Sequence, residues 1–247
     1  ASARSRNGWL ERVARVKIED ISRAVRLGDD GIWSCESGET VSYPSEGNVQ
    51  CFLLEDGSFW FQHRNECIVA LLERFPPAGP FLDVGGGNGF VTRRILDEGM
   101  DAVLLEPGPD GARNGHDRRR IPDVIRASLA EASLIDDSVG AAGVFDVLEH
   151  QEDDRAFVAL LSAALMPEGM LYGTVPAHRW LWSAADVSAG HQRRYDEDSL
   201  RRLLRPSFDV LYVTPIFEAL LFPSAVFRAL PYRIGLRRPG VLRPESE

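Results

Sequence analysis

A glycine-rich stretch, Asp83-Val84-Gly85-Gly86-Gly87-Asn88-Gly89, is the strongest candidate for ligand chemistry in the chain. The loop that holds a dinucleotide pyrophosphate has glycines in the pattern G-x-G-x-x-G, and counting from Gly85 places Phe90 where the third glycine belongs. Asp83 would repel a pyrophosphate, but its carboxylate can accept a hydrogen bond from an ammonium group. The stretch therefore predicts a ligand with an amine and no phosphate, which argues against NAD-dependent reduction.

Polar residues also follow the next two apolar runs. Glu106 lies 17 residues after Gly89, where a carboxylate can accept hydrogen bonds from both hydroxyls of a ribose. This grip implies a ribose that carries no 2'-phosphate. Ser128 follows the next apolar run, at the position where an adenine edge would lie.

Two histidines are candidates for a general base. His150 follows a fourth apolar run, and His191 lies in the polar segment Gly190–Tyr195. Imidazole titrates near neutral pH, so either ring could take the proton of an oxygen nucleophile, and a structural role is the alternative for each. Asp146 could orient a substrate amine or hydroxyl, and His178 could line the same opening.

A parallel sheet would place these residues together. From residue 81 onward the chain repeats a strand, a turn and a helix, which is typical of βαβ units and predicts a doubly wound, mostly parallel α/β sheet. Ligands bind at the carboxyl ends of such strands. The predicted strands are Phe81–Val84, Ala102–Glu106, Val124–Ala127, Gly140–Phe145, Met170–Val175 and Phe208–Val213, and the predicted helices are Phe90–Gly99, Arg155–Leu165 and Asp198–Leu204.

The chain before residue 62 does not show the repeating strand, turn and helix pattern. Helical periodicity predicts an N-terminal helix over Trp9–Arg26, and Gly28–Phe61 reads as a loop-rich hairpin cap with β-prone runs at Thr40–Tyr43 and Cys51–Leu54. A further helix is predicted over Arg64–Phe75, where Pro76 and Pro77 end it. We predict three regions: an N-terminal helix and cap over residues 1–61, a core over 62–215 and a tail over 216–247.

The order and spacing of these motifs resemble the class I S-adenosylmethionine (SAM)-dependent methyltransferases over about residues 59–213. The matching segments are Asp83–Gly89, Glu106-Pro107, Ala127-Ser128-Leu129, Phe145–His150 and Met166-Pro167-Glu168-Gly169. Two further segments, Ser58–Asn65 and Gly190–Tyr195, resemble a bacterial branch of the family that is often found beside genes for surface glycans, lipids and secondary metabolites. The seventh strand of the family has no candidate after Pro231.

The resemblance implies transfer of a methyl group from SAM to a small-molecule or lipid-linked acceptor, leaving S-adenosylhomocysteine. An oxygen nucleophile is expected, and nitrogen or carbon acceptors and a non-catalytic SAM-binding subunit are the alternatives. By position, the resemblance assigns the cofactor to Phe61, Arg64, Asp83, Gly85, Gly87, Asn88, Gly89, Glu106, Pro107, Ser128, Leu129 and Phe145. From their chemistry and position, His150, His191 and Asp146 are the candidates for catalysis, and His178, Arg194 and Tyr195 are the candidates for substrate binding.

Composition excludes several other classes of protein. Of the 247 residues, 37 are acidic and 28 are basic, so the net charge is -9, which is the wrong sign for a broad nucleic-acid surface. Cys35, Cys51, Cys67 and His63 could in principle supply four zinc ligands, but no pair of them has the short C-x2-C spacing that favours a metal. We therefore predict buried thiols in a reducing cytoplasm and no metal site.

The C-terminal region is apolar but interrupted. Pro215, Glu218, Pro223 and Arg228 break the stretch from residue 210 to 230, which is too polar for a membrane span. The tail Ala219–Pro244 contains five arginines and no acid. Packing on the core or on a partner is the favoured interpretation, and peripheral contact with an anionic membrane is the alternative. The sequence does not determine the oligomeric state.

Overall fold

The computed structural model of the protein describes residues 16–35 and 52–236. Its strands are β1 Arg26–Leu27, β2 Trp33–Ser34, β3 Phe81–Val84, β4 Ala102–Leu105, β5 Val124–Arg126, β6 Val139–Phe145 and β7 Leu165–Thr174. They form one sheet in the order β1-β2-β5-β4-β3-β6-β7. The β2–β5, β5–β4, β4–β3 and β3–β6 pairs are parallel, and β1–β2 is antiparallel. The predicted α/β fold with a mostly parallel sheet is confirmed.

Helices connect the strands and form most of the C-terminal region. They are α1 Ile18–Ile21, α2 residues 52–55, α3 Phe59–Arg74, α4 Phe90–Asp97, α5 Pro109–Arg113, α6 Asp154–Ala164, α7 Ala184–Ser188, α8 Glu197–Leu204, α9 Leu221–Ser224 and α10 Leu230–Arg233. Short 3-10 turns occupy Leu148–His150, Arg179–Leu181 and Glu218–Leu220, and π-helical turns occupy Asn114–Arg118 and Ala225–Ala229. None of the helices in residues 16–35 and 52–236 is long and apolar enough to cross a membrane.

The chain divides into two compact units. The first contains residues up to Phe145 together with Leu160–Gly173, and the second contains Asp146–Ala159 together with the residues from Thr174 onward. The predicted boundaries at residues 61 and 215 stay a prediction.

The core of the first unit explains why its strands were predictable. All residues of β3, β4 and β6 are buried, as expected for parallel strands covered on both faces, which read as continuous apolar runs. Phe81 stacks on Phe145 with ring centroids 6.5 Å apart, and Ile68 and Ile95 pack in the same cluster. Because β3 pairs with β4 on one side and β6 on the other, the strand order reverses at β3, where such sheets bind ligands.

One predicted strand does not form. Residues 208–213 have no strand assignment, and Leu211 and Tyr212 are 64% and 41% exposed. The prediction of a strand over Phe208–Val213 is therefore wrong. Its β-branched and aromatic residues favour extended backbone, but a strand also needs a pairing partner and a buried face.

Only a short part of the predicted N-terminal helix is helical within residues 16–26. Within Trp9–Arg26 the structure describes residues from Val16 onward, and α1 ends at Ile21. Ser22 then forms an antiparallel bridge with Leu134, and β1 begins at Arg26. Val25, which lies within the predicted helix, is buried but is not part of α1. Residues 9–15 of the predicted helix lie outside the described residues.

The predicted cap region is only partly visible. Thr40–Tyr43 and Cys51 lie outside the described residues, and residues 52–54, predicted as a β-prone run, belong to α2. The hairpin that does form is β1–β2, and it joins the edge of the main sheet through β2 and β5 instead of lying beside it. By contrast, the helix predicted over Arg64–Phe75 is confirmed as α3, which begins earlier, at Phe59.

Candidate functional site

The glycine loop links β3 to α4 in a tightly wound conformation. Gly85, Gly87 and Gly89 have φ angles of 68°, 57° and 75°, a region that side chains with a Cβ rarely adopt. Gly86 needs glycine for a different reason, because a Cβ there would lie 2.6 Å from Oδ2 of Asp83. The loop therefore brings its backbone close to the end of β3, as the sequence predicts.

Asp83 is a buried carboxylate with an unused oxygen. Its exposed fraction is 0%, and Oδ2 accepts a 2.6 Å hydrogen bond from the Thr92 hydroxyl. The other oxygen, Oδ1, is buried and has no hydrogen-bond partner. Burial raises the pKa of Asp83 to about 6, against the lowering effects of Thr92 and the Arg64 charge. A buried acceptor without a donor is costly, so this atom fits a ligand that brings a cationic amine.

Glu106 joins two loops at the ends of neighbouring strands. Its Oε2 accepts from the backbone N–H of Gly87 at 2.9 Å, and its Oε1 accepts from that of Gly108 at 2.7 Å. Burial raises the pKa of Glu106 to about 7, although these two hydrogen bonds lower it. Each carboxylate oxygen can accept a second hydrogen bond. Glu106 can therefore shape the loop and still accept from the hydroxyls of a ribose.

Replacing Glu106 with Ala should weaken both roles. Two backbone N–H groups would lose their acceptor, and the ligand would lose its predicted ribose contact, so we expect SAM affinity to fall at least tenfold. The free energy of unfolding should fall by about 2 kcal/mol. Calorimetric titration and denaturant unfolding measure the two effects. If this variant binds SAM with unchanged affinity, Glu106 does not contact the cofactor.

Asn88, predicted to contact the cofactor, forms side-chain hydrogen bonds within the protein. Its Nδ2 donates to Glu55 at 3.2 Å, and its Oδ1 accepts from Asn114 at 3.0 Å. Arg119 completes the network by pairing with Glu55 at 3.1 Å, and its guanidinium lies 4.9 Å from the ring centroid of Phe52. A positioning role for Asn88 in the glycine loop is thus visible, while its contact with a ligand stays a prediction.

This network of Glu55, Asn88, Asn114 and Arg119 is the main feature that sequence reasoning missed. Glu55 and Arg119 are 64 residues apart in the chain, and neither belongs to a motif. Glu55 is only 6% exposed. The one local signal in the sequence is that Glu55 is an acid on a short amphipathic segment. This signal does not identify Arg119 as its partner.

Phe61, predicted to contact the cofactor, lies in the first turn of α3. Phe61 meets Phe90 edge to face with centroids 6.3 Å apart, and the Arg64 guanidinium is 5.6 Å from the Phe61 centroid. Asn65 on the same helix donates to the backbone carbonyl of Phe90 at 3.3 Å. These contacts place α3 against the first residue of α4, directly after the glycine loop. Contact of Phe61 and Arg64 with the cofactor stays a prediction.

The other predicted cofactor residues lie at or near strand ends, and some of them form contacts within the protein. Ser128 and Glu131 form a reciprocal turn, in which the Ser128 N–H donates to the Glu131 carboxylate and the Ser128 hydroxyl accepts from the Glu131 N–H. Leu129 is 6% exposed, and Phe145 packs in the core on Phe81. Pro107 is half-buried beside Glu106. Their adenine contacts stay predictions.

The predicted catalytic residues lie in the second unit. The rings of His150 and His191 meet edge to face with centroids 4.9 Å apart. Burial, together with the neighbouring His191, lowers the pKa of His150. Asp146 has a φ angle of 60°, and its Oδ1 accepts from the Thr174 hydroxyl at 2.9 Å. The structure thus brings both candidate bases together, and the basic role of either one stays a prediction.

A buried acid fixes the orientation of His191. Asp186 is 1% exposed, and it accepts from the His191 ring at 3.0 Å and from the Nε and a terminal nitrogen of Arg194 at 2.7 and 3.1 Å. Burial would raise the pKa of Asp186, but hydrogen bonds from His191 and Arg194 hold it well below its usual range. Arg194, predicted to bind substrate, therefore holds His191 in place through Asp186.

The two other predicted substrate residues differ in position. The Tyr195 hydroxyl is committed to the backbone carbonyl of Leu148 and to the Asp154 carboxylate at 2.9 Å, and burial raises its pKa. His178 lies beside Trp180 with ring centroids 5.8 Å apart. An open surface depression of about 480 Å³ in this unit is lined by Arg179, Trp182, Gln192, Arg193 and Arg194. Of the three predicted substrate residues, Arg194 lines this depression.

The cysteines do not form a metal site with His63 within the described part of the chain. Cys67 contacts His63 on the same helix, with Sγ 3.7 Å from Nε2. Cys35 instead donates to the backbone carbonyl of Glu131 at 3.2 Å. Cys51 lies outside the described residues. Burial raises the pKa of both described thiols, so they are poor sources of thiolate.

Comparison with known proteins identifies the family. A family of methyltransferase domains matches residues 60–207, and the chain belongs to this family. A relative from Mycolicibacterium smegmatis, named as a probable S-adenosylmethionine-dependent methyltransferase, is 30% identical over 170 residues. The matched region covers 67% of this chain and 65% of the relative, so the chain spans slightly less than two thirds of that protein.

Solved structures agree on the fold. Phosphoethanolamine N-methyltransferase 2 of Haemonchus contortus, in complex with SAM, has a TM-score of 0.56 at 17% identity, covering 73% of this chain and 46% of its own. A SAM-dependent methyltransferase from Thermotoga maritima has a TM-score of 0.52 at 16% identity, covering 66% of this chain and 75% of its own. The predicted class I methyltransferase fold is confirmed, and SAM is the cofactor of the family.

Proposed function

We propose that this protein transfers a methyl group from SAM to an oxygen of a small-molecule or lipid-linked acceptor, such as a glycan, a glycolipid or a secondary metabolite. The observation that carries the cofactor assignment is the buried, unpartnered Oδ1 of Asp83 at the end of β3. A cationic amine would satisfy this atom, and SAM has such an amine. Glu106 provides a second buried acceptor at the end of β4.

The residues of the first unit would bind and orient the cofactor. Asp83 would accept from the amine, the backbone of Gly85 and Gly87 would approach the same end of the cofactor, and Glu106 would accept from the ribose. When bound, SAM supplies an electrophilic methyl group on its sulfonium. Positioning is then the main contribution that a protein makes to the transfer.

The second unit favours oxygen as the acceptor atom. A hydroxyl must lose its proton during attack, and a neutral imidazole is suited to take it. His191 is held by Asp186 through its Nδ1, so its Nε2 is the nitrogen that can accept a proton. N-methylation, C-methylation and a non-catalytic SAM-binding role are the alternatives that a turnover assay separates.

Calorimetric titration with SAM, and separately with NADH, tests the cofactor. We expect micromolar binding of SAM, which corresponds to roughly -8 kcal/mol, and no binding of NADH. Formation of S-adenosylhomocysteine in the presence of glycan, glycolipid and phenolic acceptors then tests turnover. Binding of NADH alone would overturn the proposal, and SAM binding without turnover on any acceptor would favour the non-catalytic alternative.

Acidification should weaken cofactor binding. Because the pKa values of Asp83 and Glu106 are raised to about 6 and about 7, lowering the pH from 7.5 to 5.5 protonates both acceptors. We expect SAM affinity to fall roughly 10- to 100-fold over this range. Titrations in a matched buffer series measure it, and an affinity independent of pH would contradict the role of both carboxylates.

The free protein should show the opposite dependence. A carboxyl whose pKa is higher in the folded than in the unfolded chain binds more protons when folded, so its contribution to stability is complete below its unfolded pKa and is lost as the pH rises. For Asp83 and Glu106 this window runs from about pH 4 to about pH 7. Thermal unfolding without SAM should therefore show this contribution declining across the window.

A further inference from the structure

Three potential metal ligands meet in the second unit. Glu149 and His150 lie in the 3-10 turn after Asp146, and His191 follows α7. One ligand atom from each of the three lies within 4.8 Å of the other two. We propose that Glu149, His150 and His191 bind a divalent transition-metal ion, with Zn²⁺ as the best fit. Two imidazoles and one carboxylate are a typical ligand set for an open Zn²⁺ site.

The orientation of His191 supports this assignment. Its Nδ1 is 3.0 Å from Oδ1 of Asp186, and the same carboxylate accepts from Arg194. Since Asp186 is the acceptor in these contacts, His191 donates through Nδ1 and its Nε2 carries a lone pair. A carboxylate that holds the far nitrogen of a histidine is the usual outer partner of a metal-binding imidazole.

The spacing of Glu149 and His191 also fits an ion. The His191 Nε2 is 4.0 Å from Oε1 of Glu149, which is too long for a hydrogen bond. Two ligands bound to one Zn²⁺ at about 2.1 Å are separated by roughly 3 to 3.5 Å, so a movement of less than about 1 Å would bring these two atoms to coordination distance. Glu149 is 1% exposed, and metal coordination is one of the few arrangements in which a carboxylate is stable when buried.

His150 would be the third ligand. Its ring lies edge to face with that of His191, and its ligand atom lies within 4.8 Å of those of Glu149 and His191. Three protein ligands leave at least one coordination position open, where a substrate oxygen or a water can bind. A role for the ion in binding the acceptor oxygen rests on the proposed function, whereas metal binding itself does not.

A titration of the full chain, free of any histidine tag and treated with chelator, tests the site. With ZnCl₂ as the probe, we expect one saturable site per chain at micromolar affinity or tighter. Glu149→Gln and His191→Ala should each weaken binding at least 100-fold, and circular dichroism should show that both variants stay folded. With CoCl₂, the wild type should develop visible absorption bands that the variants lack.

Two control variants exclude adventitious binding. His116 forms an exposed pair with Asp117 in the first unit, and Cys67 contacts His63 on α3. His116→Ala and Cys67→Ser should leave the affinity for Zn²⁺ unchanged. The proposal is wrong if Zn²⁺ does not bind, or if Cys67→Ser removes binding and Glu149→Gln does not. In that case the cluster is a packed pair of histidines beside a buried acid.

The metal titration and the SAM titration test the two proposals independently. Loss of Zn²⁺ binding with SAM binding intact would overturn the metal site alone, and the reverse result would overturn the proposed function alone. The two roles of the histidines also separate in turnover. A single general base predicts that only one of His150→Ala and His191→Ala is inactive, whereas a metal-dependent reaction predicts that both are inactive and that chelator inactivates the wild type.

Discussion

Asp83→Asn is expected to weaken SAM binding roughly 100-fold without destabilising the free protein. The carboxylate would lose its charge at the atom that faces the ligand amine, and a charge-assisted hydrogen bond in a buried site would be lost. In the free protein the same substitution removes a fully buried charge and can keep the contact with Thr92. The melting temperature should therefore stay the same or rise.

Calorimetry with SAM and thermal unfolding without it measure these two effects. Asp97→Asn is the matched control, because Asp97 ends α4 on the surface and pairs with Arg93 four residues earlier. That variant should bind SAM like the wild type. If Asp83→Asn and Asp97→Asn bind SAM equally well, the buried carboxylate does not recognise the amine.

Asp186→Asn should cause the largest loss of stability among single polar substitutions in the second unit. It leaves the guanidinium of Arg194, which is 18% exposed, without its charged partner. Removing one member of such a buried pair costs about 3 kcal/mol or more. For a chain of this size, that corresponds to a fall in melting temperature of roughly 6 to 12 °C.

Thermal unfolding followed by circular dichroism tests this expectation. Asp209→Asn is the control, since Asp209 is exposed in the same unit, and its melting temperature should match that of the wild type. The Asp186→Ser and Asp186→Glu variants add a graded series, in which Glu should recover part of the loss. An unchanged melting temperature in Asp186→Asn would mean that Arg194 is held by other contacts.

The sheet and the cofactor loop were predictable because their signals are local. The strands β3, β4 and β6 are buried and mostly apolar, Asp83 lies near the end of β3, and the glycines and Glu106 directly follow β3 and β4. Strands β1 and β2 have two residues each, which is too short for any periodicity. Phe208–Val213 has the composition of a strand, but composition alone does not provide a neighbouring strand.

The contacts between distant residues were not predictable. Glu55 meets Arg119 across 64 residues, and Tyr195 meets Leu148 across 47. In each case the individual residues are ordinary, and only the fold brings them together. The clustering of His150 with His191 has the same origin, since the sequence identified both residues separately and gave no reason to expect their rings in contact.

The β1–β2 hairpin has a consequence for solubility. A sheet edge exposes unpaired N–H and C=O groups on which another chain can add a strand, and short edge strands with charged side chains resist this addition. Among the described residues, the outermost strand on this side is β1, which is two residues long and begins with the exposed Arg26. Because of the hairpin, the sheet ends on this side in a short, charged strand instead of in the apolar strand β5. Such an edge is a poor template for aggregation.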